Sequence, residues 1–561
     1  MTEPSSRRTS LYVVALTTWT IAFVALLVQQ WWFVESGFLF RDDGVYLPRT
    51  LHLVYISEPG YLWYLHLLGF LSSLSIGHEL AVVIFKILVL TLFAFAPTLI
   101  AVLLLLVLGT PWLSVAVGLF IAGYPLAVDQ GATYVAAAHP TYGAMVAIIA
   151  LGVFWFSWTA PTARFLLGIT SVAVLSLLAS FASPTLRLMV VAPILWILVM
   201  SPFYWRGWRR SAIALVIVLL PLALRASHIA DHHYAQMPGR VDMTLPTILG
   251  NAVEAVRMIF APLAKASPTV LLLYLIALVL LAVAAYMATR STAPSTGSRK
   301  PALPTGTAML ALLILCVVTA ALAFGPPSVL TVFRPRYVVP SFLLVALGIS
   351  ALVVWFIRKN DSKPVVPLVI SVFATLIVAN LILTGQMQKR QLGRAMLTHE
   401  AAVQLASKER HRWEDDSQIV LVVGPDQRTP TNGSTHRSTW YLRFLSGKQV
   451  KTGLLGRLDM LGADPFVEAS DAFRMRGLQE DVPLYLYEVD EKGHRFHARD
   501  VLFLSSDPAQ TKFARYGEAP TSVTGRTEHC ERKERRIFVW PMTPNVSPEA
   551  EPCIGVTEVQ Q

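Results

Sequence analysis

Charge is what this sequence has least of: Asp, Glu, Lys and Arg supply 14% of its 561 residues, where a soluble protein carries about a quarter. With 54% hydrophobic residues and a mean hydropathy of +0.55, the deficit excludes a water-facing enzyme of several domains, because only lipid solvates so much apolar chain. Cysteine is nearly absent too. Its three copies form no Cys-x-x-Cys, and no His-Glu-x-x-His occurs, so the sequence carries no strong metal motif and the expected metal-ligand set is none. A GxxxxGK[ST] loop is also missing, which argues against a pump built on a P-loop. No internal repeat is visible.

The charges that remain are unevenly placed. Residues 1–384 carry 22 Lys+Arg against 11 Asp+Glu, whereas residues 385–561 carry 24 of each. The whole net charge of +11 therefore belongs to the hydrophobic part. There the basic residues punctuate apolar runs instead of forming a solvated patch, so they write membrane topology and not nucleic-acid binding.

A spanning helix needs about 20 predominantly apolar residues, and eleven such runs are present: 11–34, 79–108, 112–128, 139–158, 165–182, 186–203, 211–227, 269–289, 307–325, 337–357 and 365–384. The 42 uncharged residues between Lys86 and Asp129 must be two helices, since Gly109-Thr110-Pro111 breaks them. Placing Met1 in the cytoplasm puts twelve basic residues inside, among them Arg7, Arg209, Arg210 and Arg358, opposed only by Glu3 and Asp361. That is the positive-inside bias. The first run is read as an uncleaved anchor, because no small-residue cleavage site follows it. The expected domains are a polytopic membrane domain, 1–384, with a first outside loop at 35–78, and an extracytoplasmic α/β domain, 385–561.

In that second domain, Ile419 to Val423 ends in Gly424-Pro425 and reads as a short buried strand; Leu484 to Val489, Val501 to Leu504 and Ile537 to Trp540 are further strand candidates. The Pro- and Glu-rich end, 541–561, is expected to be disordered. Cys530 and Cys553 fall on the oxidising side, where either a disulfide or two thiols is open.

Chemistry concentrates in a few outside segments. The first loop places Asp42-Asp43 a few residues beyond the first span, followed by two stretches, to Glu58 and from Tyr61 to Ile76, that read as interfacial helices. A carboxylate there either caps a helix or works as a base. Near the tenth span stands Phe333-Arg334-Pro335-Arg336-Tyr337, whose guanidinium groups suit phosphate oxygens or lipid headgroups. Asp129, His139 and Arg187 occupy turns where they would line a cavity or simply end helices. Lys86 is read as snorkelling to the interface unless it meets a carboxylate such as Glu79, and Asp231-His232-His233 as a solvated loop, with binding of a divalent ion as the alternative.

This arrangement of first span, immediate Asp-Asp, two interfacial helices, many further spans and an extracytoplasmic C-terminal domain resembles the GT-C superfamily of integral-membrane glycosyltransferases. The resemblance implies sugar transfer from a polyprenyl-phosphate donor to a glycan, lipid or protein acceptor in the cell envelope. Asp42 or Asp43 would be base or metal-site ligand, and Arg334, Arg336 and Tyr337 would hold the donor phosphate. It implies no certain cofactor and leaves a divalent cation open. The alternatives are a transporter or flippase of lipid-linked glycans and a polysaccharide polymerase or ligase. A multi-pass bacterial inner-membrane location, with the N-terminus cytoplasmic and no nucleic-acid partner, is the matching expectation.

Overall fold

The computed structural model describes residues 4–35, 78–133, 139–202, 208–229, 241–290, 305–359 (without 332), 365–423 (without 416), 442, 445–448, 450–456, 483–489, 496–503, 512–515, 521–528 (without 523) and 553–557. The described chain divides into two compact units that meet in sequence between Gln388 and Lys389.

The first unit is all helix. In chain order it holds α1 (Pro4–Glu35), α2 (His78–Phe93), α3 (Phe95–Leu108), α4 (Pro111–Ala122), the short α5 (Pro125–Val128) running into a π-turn (Asp129–Thr133), α6 (His139–Trp158) and α7 (Thr162–Ala182). A 3-10 turn (Pro184–Val191) leads into α8 (Ala192–Met200), followed by α9 (Trp208–Ile229), α10 (Leu245–Ala264), α11 (Pro268–Arg290) and α12 (Gly306–Ser328). A second 3-10 turn (Pro335–Tyr337) precedes α13 (Val339–Lys359), and α14 (Val365–Glu409) leaves the unit.

Local chemistry explains the breaks. Gly109 takes a left-handed φ of 67° after α3 and returns its N–H to Leu105 O at 2.7 Å, a conformation glycine adopts without steric cost. Pro111 then occupies the first turn of α4, where a missing N–H is harmless. Pro125 does the same for α5, and here the axis bends by 64° between the two apolar pieces. Among the described residues, eight helices are long and apolar enough to cross a membrane, or nine if that bent pair is one span. Leu245–Ala264 is among the eight, although residues 228–268 were expected to be an outside loop. Leu186–Met200 and Pro268–Ala284 are shorter apolar helices.

One contiguous core joins the helices from Leu26 on α1 to Val369 on α14. Lipid tails are as apolar as the helices, so burial alone does not hold such a bundle together; close packing and the few internal polar contacts do. Trp196 Nε1 on α8 donates to Thr319 Oγ1 on α12 at 2.9 Å, both buried. Gln29 on α1 donates to Leu381 O on α14 at 2.7 Å.

The second unit contains a mixed sheet in the order β2-β1-β3-β4-β5-β6, from β1 (Gln418–Val423), β2 (Lys451–Gly456), β3 (Pro483–Val489), β4 (Phe496–Phe503), β5 (Lys512–Arg515) and β6 (Thr521–Ser522). β1 pairs in parallel with both β2 and β3, and the remaining pairs are antiparallel. A separate antiparallel pair is formed by β7 (Thr524–Glu528) and β8 (Cys553–Thr557). Leu405 and Ala406 on the last turns of α14 bury with Trp413, Ile419 and Tyr487, where Trp413 Nε1 donates to Tyr487 OH at 2.9 Å. The strand candidate at 537–540 and Cys530 lie outside the described residues.

Candidate functional site

Three interruptions of helical structure cluster around α6. The first is the π-turn Asp129–Thr133, which continues the bent α4–α5 pair. Burial of an acid in an apolar bundle is costly unless polar groups receive it; Asp129 is 8% exposed and its Oδ2 accepts from Nε2 of the equally buried Gln130 at 2.6 Å. The turn is pressed onto α2 because Gly131 has no side chain: a Cβ built there would stand 2.3 Å from Phe93 Cε2. It also packs against the start of α6 and against the 3-10 turn at Pro335–Tyr337.

The second interruption is that Pro335–Tyr337 turn, between α12 and α13. Pro335 fixes its first position and removes an N–H that the turn has no partner for. Tyr337 N–H donates to Arg334 O and Val338 N–H to Pro335 O, each at 3.0 Å. Tyr337 is buried, and its ring meets Phe333 edge-on, which in turn meets Phe324. This aromatic ladder holds Arg336: its Cζ stands 5.3 Å over the Tyr337 ring, and its Nη2 lies 3.4 Å from the Tyr337 OH. Arg334 and Arg336 are both half-buried.

The third is the 3-10 turn Pro184–Val191, carrying half-buried Arg187, whose Nε and Nη2 are shielded from solvent. It is wedged in place by its neighbours. Leu186 and Met189 bury with Ala147 of α6, Ala179 of α7 and Ala323 of α12. Both 3-10 turns pack against α6, the helix that His139 opens.

Thus the structure brings Asp129 together with the Arg336–Tyr337 turn, although they are some two hundred positions apart in sequence, and packs the turn that carries Arg187 against the helix whose first residue is His139. Asp42, Asp43 and Asp231-His232-His233 lie outside the described residues. Lys86, expected to reach the interface or to meet a carboxylate such as Glu79, is 4% exposed on α2, the helix against which the Asp129 turn packs.

The sequence reading passed over Gln130 and Asn251. Asn251 donates through Nδ2 to Ser328 O at 2.7 Å and Leu330 O at 2.9 Å, while Asp242 N–H donates to Val329 O at 2.8 Å. Three successive carbonyls leading into the Arg334 segment are thereby held. The signal for this lay in an asparagine amid an amphipathic run, a weak one on its own. Among the described residues no group of three or more His, Cys, Asp or Glu is placed to hold a metal ion.

No family model matches this chain, and no curated protein matches it either. Among solved structures, the chain is similar to the crystal structure of ArnT from Cupriavidus metallidurans bound to undecaprenyl phosphate, at 13% sequence identity and a TM-score of 0.45, over 85% of this chain and 94% of that one.

Proposed function

We propose that the protein is a membrane glycosyltransferase of GT-C type, moving a sugar from a polyprenyl-phosphate donor to a glycan, lipid or protein acceptor on the outer face of a bacterial inner membrane. The observation that carries this reading is the packing of the Arg334-Pro335-Arg336-Tyr337 turn on the buried Asp129 turn at one end of the helical bundle. A phosphate bound at that turn meets guanidinium donors that are always charged and partly desolvated, where charge-assisted hydrogen bonds are strongest.

In this reading Arg334 and Arg336 hold the donor phosphate, Tyr337 fixes the Arg336 fork, and Asp129, His139 and Arg187 line the cavity. Asp42 or Asp43 takes the proton of the acceptor hydroxyl. Its oxygen then bonds the anomeric carbon as the carbon–oxygen bond to phosphate breaks, and polyprenyl phosphate leaves with the electron pair, its added charge met by the arginines. Eleven crossings with Met1 inside deliver the C-terminal unit to the outside, so a reporter fused after Gly385 is active there and one inserted at Gly297 is active in the cytoplasm.

A second reading, a flippase for lipid-linked glycans, is favoured by one feature: the 64° break in the α4–α5 pair, followed directly by the buried Asp129 and Gln130, since transporters build substrate sites at broken helices. Purified protein incubated with labelled polyprenyl-phosphate sugars separates the two. Release of polyprenyl phosphate, lost by a factor on the order of 10² to 10⁴ in Asp43→Asn or Asp42→Asn, supports the transferase; sugar crossing vesicles without release supports the flippase and overturns the first reading.

A further inference from the structure

Helix α10, Leu245–Ala264, satisfies the length and composition of a membrane span, but its hydrogen bonds fix both of its ends to the same end of the bundle. α12 runs from Gly306 to Ser328, α13 returns from Val339 to Lys359, and α14 sets out again from Val365. Ser328 and Val339 therefore lie at one end, with Gly306, Lys359 and Val365 at the other. Gln386 is about 30 Å along α14 from Val365, which returns it to the Ser328 end.

The start of α10 is tied to Ser328 and Leu330 by Asn251. Just beyond its last residue, Ser267 Oγ accepts from Gln386 Nε2 at 3.0 Å, and Leu263 packs with Val270, Ala379 and Leu383. Between these points Ile259 O accepts from the Tyr124 hydroxyl, and the Tyr124 ring sits 5.0 Å from that of Phe342, in the first turn of α13. The beginning, middle and end of the helix thus touch residues at a single level. A spanning helix of this length would carry one end about 30 Å away.

The exposed surface of α10 is divided lengthwise. Leu245, Leu249, Val253, Val256 and Phe260, each between 55% and 70% exposed, follow the spacing of one helical stripe. Rotated away from it are Gly250, Glu254 and Arg257, the last two paired at 3.4 Å. A third face buries Ala255 and Pro262. An apolar stripe and a charged stripe on the open perimeter of one helix suit a surface between acyl chains and water. After a break that contains Lys265, the next helix, α11, also exposes apolar side chains, Leu271, Leu272, Leu275 and Leu278.

We infer that α10 does not cross the bilayer but lies in its plane at the Arg336 end of the bundle, with the Leu245–Phe260 stripe seated at the headgroup–acyl boundary of the lipid and Glu254 and Arg257 in water. The same helix, through Asn251, holds the carbonyls of Ser328 and Leu330. If the proposed phosphate site is correct, the lipid surface sets the height of the Arg334–Tyr337 turn, and it does so at the level where a polyprenyl phosphate carries its phosphate.

The test does not depend on activity. Single cysteines are introduced into the full chain with Cys316, Cys530 and Cys553 replaced by Ala, in sealed vesicles, as Gly250→Cys, Arg257→Cys, Lys265→Cys, Val253→Cys and Phe260→Cys. An impermeant maleimide should label Gly250→Cys, Arg257→Cys and Lys265→Cys from one and the same side, and the two stripe positions roughly tenfold more slowly. A bimane at Val253→Cys should be quenched by lipids brominated near the headgroup, and less by lipids brominated near the chain end. Labelling of Gly250→Cys and Lys265→Cys from opposite sides means a span and overturns the inference. Equal labelling of all five positions means water covers the stripe, and a stripe that is protected but unquenched means protein covers it; either result overturns the lipid assignment.

Discussion

Replacing Gly131 by alanine tests the contact that brings the Asp129 turn onto α2. The new Cβ would lie 2.3 Å and 2.7 Å from Phe93 Cε2 and Cδ2, and 3.1 Å from Thr141 Cγ2. Phe93 and Thr141 are each 1% exposed, so neither has open space to move into. Overpacking of this kind costs about 1–3 kcal/mol. Phe93→Ala alone opens a cavity and costs about 3–5 kcal/mol, but it also removes both ring atoms that the new methyl meets. The double variant should therefore be more stable than the sum of the single effects by about 1–3 kcal/mol. Unfolding by SDS in mixed micelles, followed by tryptophan fluorescence, reads the four corners of this cycle. Additivity within about 0.5 kcal/mol would show that the turn does not rest on Phe93, and the placement of the Asp129 turn on α2 would be wrong.

Arg336→Ala should weaken binding of a polyprenyl-phosphate donor by about 1.5–3 kcal/mol, with Lys restoring only part because an ammonium lacks the planar fork; unchanged affinity in Arg336→Ala and Arg334→Ala would reduce both to headgroup anchors. Asn251→Asp keeps the side-chain shape but sets a carboxylate against Ser328 O and Leu330 O, so donor KM should rise on the order of tenfold with a smaller change in kcat. A loss of thermal stability without that KM change would make the clamp structural only. Asp242 accepts from the Thr247 hydroxyl and the Thr244 N–H, and these bonds, Thr247's first, hold its carboxyl below the ordinary range. A folded pKa below the unfolded one gives stability that is present above the unfolded value and lost as pH falls through the folded one. The difference in melting midpoint between wild type and Asp242→Ala should accordingly be present at neutral pH and vanish in acid; a difference that grows on acidification would reverse the sign.

Several features were legible in the chain without its fold. The apolar runs coincide with helices of the first unit, Leu245–Ala264 excepted, because a helix satisfies its own backbone hydrogen bonds, so its position depends on local composition. Gly109-Thr110-Pro111 breaks α3 from α4 by the conformations those residues allow, and Pro335 marks a turn for the same reason. Strands β1 and β3 follow from the short apolar stretches at Ile419 and Leu484. Tertiary structure decided the rest. Helices apolar on every side carry no stripe that says which neighbour each must face, so nothing local could foretell that the Asp129 turn meets Arg336 or that Lys86 is enclosed. Composition also leaves Leu245–Ala264 equally able to cross a bilayer or lie along it. That choice rests on three side chains, Asn251, Tyr124 and Gln386, two of them far from the helix in sequence, because a hydrogen bond in an apolar bundle fixes a position that hydrophobicity alone leaves free.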